Sequence, residues 1–357
     1  MAAFSSQTMR QALMSAILAL TAFTVQAQST VNYSAPFSDS TRRVLAAYTV
    51  PADVRVDNNI AATSSEVAFK AASHQEQQRL LSYLKALDIP DNKDNYKTNK
   101  TFYYHLAGAF AKLRLYPLAM KCFIRSIKTD DTKTDSLDNL TVNLKDDENV
   151  SRQAKKMAKK AEAKSKAINY QRILDNFNDG KSATAYAMLF HVKQPVPGKK
   201  KIYVGANTGH TFITLIKYNT DSTYSSASFG FYPKKDHFLS ATPVMPTTSA
   251  TFKDDTDHQW DQIVGKFISK RKFDKILKLT KEYDNAVYNL NNQNCTDFGL
   301  QAANLAGLSI TDTKGSWPLG SGNNPALTGQ SILEGKIQDQ QDIGKVFTSD
   351  TVKQVPM

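Results

Sequence analysis

The sequence predicts an α+β protein in which an N-terminal all-α, repeat-like region precedes a domain built on a sheet. Apolar residues recur at helical spacing in the first half of the chain, then change after Asn178-Asp179-Gly180 to runs of strand type. Four such runs lie between residues 183 and 268, broken by turn residues such as Pro195-Val196-Pro197-Gly198 and Pro233. A last clear helix, from Thr296 to about Ala306, then ends at Gly307.

At the N-terminus, Met9-Arg10 precedes an apolar run from Ala12 to Val25, followed by the A-x-A-like site Val25-Gln26-Ala27. A basic lead, a short apolar centre and a small-residue exit read as a secretory signal over residues 1–27, too short to span a bilayer. The expectation is an exported protein that starts near Gln28, with no lipid-anchoring Cys after the cleavage site and no transmembrane segment. Residues 28–63 read as an irregular lead-in. Ser73-His74-Gln75-Glu76 has the order of a capping box, Leu80, Leu81, Leu84 and Leu87 follow at helical spacing, and Pro90 closes that helix.

In Thr101–Ile127, the residues Leu106, Ala107, Phe110, Ala119, Phe123 and Ser126 stand at the spacing of a tetratricopeptide repeat, and the segment resembles one such unit. A lone unit cannot bury its own apolar face, and arrays need about three. Residues 28–149 are therefore expected to be a repeat-like helical region, a possible surface for a protein partner, with Cys122 in its core.

A basic connector, residues 150–180, follows, with a helix expected over about 150–174. From Arg152 to Arg172 it carries eight positive residues against Glu162 alone. The whole chain has a net charge of +12, and loss of the signal with its single charge, Arg10, leaves +11. That excess suits anionic partners such as cell-wall polymers or lipid headgroups. Nucleic acid is not indicated: no RNP, helix-turn-helix or zinc-finger pattern accompanies the charge.

The second domain is expected over residues 181–334. Its strands are Ala183–Val192, His210–Tyr218, Tyr224–Tyr232 and Gln259–Ile268, with a helix over about 270–284. Along the second strand Phe212, Thr214 and Ile216 alternate with Ile213, Leu215 and Lys217. Ser316–Pro325 reads as a Gly/Asn/Pro loop, and residues 335–357 as a loose polar tail.

The chemistry turns on Cys295, one of two cysteines 173 positions apart. Three roles are open to it: nucleophile, half of a disulfide with Cys122, or small core residue. A nucleophilic thiol needs a lowered pKa, and a helix N-terminus supplies unpaired N–H groups and the positive end of the dipole. Asn294 is a good N-cap, which puts Cys295 at N1 and Asp297 at N3. A histidine must also be near. Of six, His210 alone opens a strongly alternating strand, behind Gly205-Ala206-Asn207-Thr208-Gly209. HExxH, paired CxxC, GxGxxG and P-loop patterns are lacking, so neither a metal nor another cofactor is expected.

"GHTFITL", "FGFYP" and "YNLNNQNCTDFGLQAANLAG" together resemble the circularly permuted papain-like hydrolases related to the NlpC/P60 enzymes, over about residues 183–330. In these the His strand precedes the Cys helix. The resemblance implies an antiparallel sheet packed on a Cys-bearing helix, Cys295 as nucleophile, His210 as general base and the Cys295 N–H in an oxyanion hole. A polar residue on the neighbouring strand is expected to orient the imidazole. That strand offers only Ser225, Ser226 and Ser228, so Ser228 is the first choice and His258 the second, with Asn294 a candidate substrate contact. The implied activity is an exported cysteine hydrolase cleaving amide or peptide bonds, for example in cell-wall peptides. The alternatives are a lipid-directed thiol esterase or acyltransferase, and a non-catalytic binding protein.

Overall fold

A computed structural model describes residues 96–127, 140, 165–340 and 346–348, all within the compact unit Phe37–Met357. The expected signal, the lead-in, the helix before Pro90 and most of the basic connector lie outside the described residues. The elements in chain order are α1 (Tyr96–Lys112), α2 (Tyr116–Ile127), β1 (Ala167–Ile168), α3 (Tyr170–Asp175), β2 (Ala183–Lys193), β3 (His210–Asn219), β4 (Tyr224–Pro233), β5 (Thr247–Asp254) and β6 (Gln262–Ile268). They continue with α4 (Lys270–Asp284), β7 (Val287–Asn289), α5 (Cys295–Ala306), β8 (Leu308–Ile310), β9 (Lys314–Trp317), β10 (Gly320–Asn323), α6 (Pro325–Leu333), β11 (Ile337–Asp339) and β12 (Phe347–Thr348).

The fold is α+β, with an antiparallel sheet in the order β1-β5-β4-β3-β2-β6-β12 and β7 paired to β5. Every residue of the central strand β3 is buried, because both of its faces are covered. Phe212, Ile216 and Tyr218 join the cluster formed with the α1–α2 hairpin, while Ile213 and Leu215 join the cluster with Phe273 and Ile276 of α4 and Phe298 of α5. Alternation on β3 thus separates two apolar cores rather than core from solvent. Lys217 is admitted because its ammonium meets Asp179 and the Phe177 carbonyl.

The hairpin solves its burial problem on this sheet. Tyr116 through Ser126 of α2 are buried, and Tyr218 donates its hydroxyl to the Pro117 carbonyl at 2.7 Å. Among the described residues its apolar face closes on β2 and β3, so the hairpin and the sheet share one core.

The connector departs from the expected helix at its end. Ala167 and Ile168 pair with Lys253 and Phe252 at the sheet edge, and the Asn169 side chain then caps the short helix α3 by accepting from Arg172 N–H. Part of the expected polar tail is also structured: β11 pairs with β8, and β12 pairs with β6. There Phe347 is fully buried with its ring 5.4 Å from Phe123, so one aromatic fixes an otherwise polar segment. The Ser316–Pro325 stretch is not a plain loop but the hairpin β9–β10 followed by Pro325 at the start of α6. Strand β5 carries no strong pattern, since Phe252 is its one buried residue; its pairing with β4 fixes it.

Candidate active site

Helix α5 starts as its sequence demands. The Asn294 side-chain oxygen accepts from Thr296 N–H at 2.7 Å and Asp297 N–H at 3.1 Å, and the Asp297 carboxylate accepts from Asn294 N–H at 2.9 Å, a complete capping box. The cap takes the N–H groups at N2 and N3 and leaves that of Cys295, at N1, for other partners. Asn294 also donates its amide to the Leu290 and Asn323 carbonyls at 2.9 and 3.0 Å. Both ends of its carboxamide are occupied in holding the helix, so it is a scaffold residue and not a free substrate contact.

His210 reaches this helix from the first position of β3. Gly209 before it has φ +74°, and a Cβ there would lie 2.4 Å from the Lys193 carbonyl oxygen, so no side chain fits. The imidazole lies over Gly230 of β4, the glycine of FGFYP: a Cβ at Gly230 would stand 2.4 Å from His210 Nε2 and 2.5 Å from Asp255 Oδ2. That glycine leaves the space in which the two side chains meet.

Asp255, immediately after β5, is the residue that meets the His210 ring. Its Oδ2 accepts from His210 Nε2 at 3.1 Å, and its Oδ1 accepts from the Tyr232 hydroxyl at 2.6 Å and the Ser165 hydroxyl at 2.9 Å. The carboxylate is wholly buried with all three partners satisfied. Because Nε2 faces Asp255, Nδ1 is the ring nitrogen left for the thiol.

Ser228 does not take this place. Its hydroxyl shares a 2.8 Å hydrogen bond with Thr214, which shares another of 2.8 Å with His191 Nε2. Register explains the result: Ser228 lies opposite Thr214 on β3, four residues beyond His210. His258 is no orienting residue either. Its ring centroid is 5.0 Å from that of His210, but its Nδ1 bonds to the Gln259 carbonyl at 2.7 Å. Burial, and then the charge on His210, lowers its pKa to about 4, so it stays neutral. Segment 255–261 carries both Asp255 and His258, and Arg114, in the turn between α1 and α2, donates its Nε to the His258 carbonyl at 3.3 Å.

The electrostatics separate the groups in the sense a thiol site requires. Burial would lower the His210 pKa, but the charge and hydrogen bond of Asp255, with Cys295 opposite, raise it to about 9. Burial would raise the Cys295 pKa, but its interaction with His210, the Thr211 main chain and the Thr296 hydroxyl lowers it below the ordinary thiol value. The Tyr288 phenol of β7 interacts with both the main chain and the thiol of Cys295; burial, then the thiolate charge, holds it well above the usual phenol range. Cys122 and Cys295 are both unbridged.

Asp255 and Tyr288 escape the sequence reading. The acidic run Asp254-Asp255-Asp257 was the available signal for the first; nothing local marks the second. Among the described residues no cluster of His, Cys, Asp and Glu could hold a metal ion, and no helix is long and apolar enough to cross a membrane. Comparisons with protein-family models, curated proteins and solved structures find no match.

Proposed function

We propose that this protein is an exported cysteine hydrolase with Cys295 as nucleophile, His210 as its acid–base partner and Asp255 as the positioning residue. The carrying observation is the buried His210–Asp255 pair set against a thiol at a helix N-terminus. In the resting site the proton sits on His210, leaving a Cys295 thiolate. The thiolate attacks an amide or peptide carbonyl, and charge develops on the carbonyl oxygen beside the Cys295 N–H and the Tyr288 hydroxyl. His210 gives its proton to the leaving amine, then takes one from the water that releases the acyl group. Asp255 holds one ring orientation and one tautomer throughout.

The order of His strand before Cys helix, on an antiparallel sheet, supports the permuted papain-like reading. Cell-wall peptides are the proposed substrates, consistent with expected export and positive charge. A non-catalytic binding role is the weaker reading: a buried carboxylate aimed at His210 has no use in it.

Alkylation of the full chain by iodoacetamide across pH tests this. Cys295 is expected to react well below pH 8.5, roughly the pKa of a free thiol, and His210→Ala should move its curve up toward that value. If Cys295 reacts only after unfolding, or is indifferent to His210→Ala, the hydrolase reading is wrong.

A further inference from the structure

The large apolar side chains exposed among the described residues are not scattered. All of them lie on four segments: the β2–β3 loop, the β4–β5 loop, β7 and the β9–β10 turn. Phe238 is 84% exposed, Leu319 76% and Val244 68%, and Tyr203, Val204 and Val287 are also exposed. Each segment belongs to an element that reaches the catalytic groups or the start of α5. The β2–β3 loop runs into His210, and the β4–β5 loop leaves β4 just after Tyr232. Strand β7 buries Tyr288 and exposes its neighbour Val287, while Asn323, at the end of the β9–β10 hairpin, bonds to Asn294 and Asp297 at the start of α5.

Charge follows the same segments. Lys199, Lys200 and Lys201 precede Tyr203 and Val204, and Lys234 and Lys235 precede Phe238, all five exposed. The only acidic residue in these two loops is Asp236, which accepts from Ser249, while Lys200 pairs with Glu334 of the segment after α6 at 2.8 Å. The β2–β3 loop is also held at its base. Gln194 donates to the Ala326 and Lys199 carbonyls and accepts from Gly198 N–H, and Asn207 donates to the Pro195 carbonyl. Tyr203 and Val204 are therefore presented by an anchored loop.

We propose that this rim docks the mouth of the site on an anionic lipid bilayer. Separate apolar tips divided by polar backbone make poor contact with a rigid partner, but each can enter an acyl layer independently. Lys199, Lys201, Lys234 and Lys235 behind them then meet the anionic headgroups, each worth roughly a fivefold gain in affinity close to the surface. Docking is independent of the thiol chemistry. Its consequence, that the thiol works close to the membrane surface, rests on the proposed hydrolase.

The test uses the full chain with Cys295→Ser, so that no turnover intervenes. An environment-sensitive fluorophore is attached at Val244→Cys on the rim or, as a control, at Lys278→Cys on α4. Phosphatidylcholine vesicles with phosphatidylglycerol should shift the Val244 probe to the blue and leave the Lys278 probe unchanged; vesicles without the anionic lipid should do much less. Replacing Lys199, Lys201 and Lys235 by Gln should weaken the titration at least tenfold, and added salt should do the same. The proposal is overturned if the Val244 probe stays in water, if both positions respond alike, or if the Val244 signal rises with protein concentration alone, which would assign the rim to a second copy. The alkylation experiment fails or succeeds independently of all these outcomes.

Discussion

The two thiols of this chain are both buried, yet their surroundings drive them in opposite directions. Cys122 lies in the middle of α2, fully enclosed, where burial raises its pKa far beyond the reach of the nearby Arg125 and Lys121 charges. Cys295 is 8% exposed at the first position of α5, and its pKa is lowered despite the burial. Depth is not what separates them. A mid-helix cysteine has its N–H committed to the ladder and hydrocarbon around its sulfur, whereas a cysteine at N1 has its N–H outside the ladder and can face an imidazole. The same contrast holds for two imidazoles: burial lowers the pKa of His191, stacked 4.3 Å from Phe212, while Asp255 raises that of His210 despite its burial.

The sharpest way to break the comparison is to exchange the thiols' chemistry. Cys295→Ser should reduce turnover of a peptide or amide substrate by at least about a thousandfold. Cys122→Ser should leave turnover unchanged and lower stability by about 1–3 kcal/mol, since it buries a hydroxyl among apolar groups. Turnover and a denaturant titration on each variant separate the two roles; loss of activity in folded Cys122→Ser would erase the distinction.

Asp255→Asn tests why His210 differs from His191. It should lower kcat by about 10²–10⁴ by losing the ring's orientation and charge partner. The pH profile gives the sign. The active thiolate–imidazolium pair exists above the Cys295 pKa and below that of His210, so wild-type activity should decline above about pH 9 as the ring loses its proton. With Asp255→Asn that alkaline limb should move to lower pH. An unmoved limb would mean that the carboxylate plays no part in the charge of His210.

The smallest effect is expected at Ser228→Ala. Its hydroxyl serves Thr214 and not His210, so kcat should change by less than about threefold, with a stability loss of about 1 kcal/mol from the broken Thr214 hydrogen bond. A large fall in kcat would return Ser228 to the site.

What could be read from the sequence follows the range of each interaction. The Asn294 cap, Cys295 at N1 and His210 at the head of an alternating strand are all local, and each lies where its pattern puts it. The helix over residues 270–284 is equally local, announced by Phe273, Ile276, Leu277 and Thr280 on one buried face. Asp255 is different in kind. Which of three nearby carboxylates turns inward depends on the β4–β5 register that sets Asp254 against Phe229, and on the empty space at Gly230. Ser228 fails for the same reason, since pairing places it opposite Thr214. Strands β7 and β12 have three and two residues, too few for any period, and exist only because β5 and β6 offer free edges.

By itself, then, the sequence determined the α+β class, the helix that starts at Cys295 and the strand that starts at His210, because caps and periodicities act within a few residues. Tertiary structure alone decided which carboxylate completes the site, which phenol lies against the thiol and what covers the hairpin's apolar face. Those depend on strand register and layer packing, which join residues tens to more than a hundred positions apart and leave no local mark on the chain.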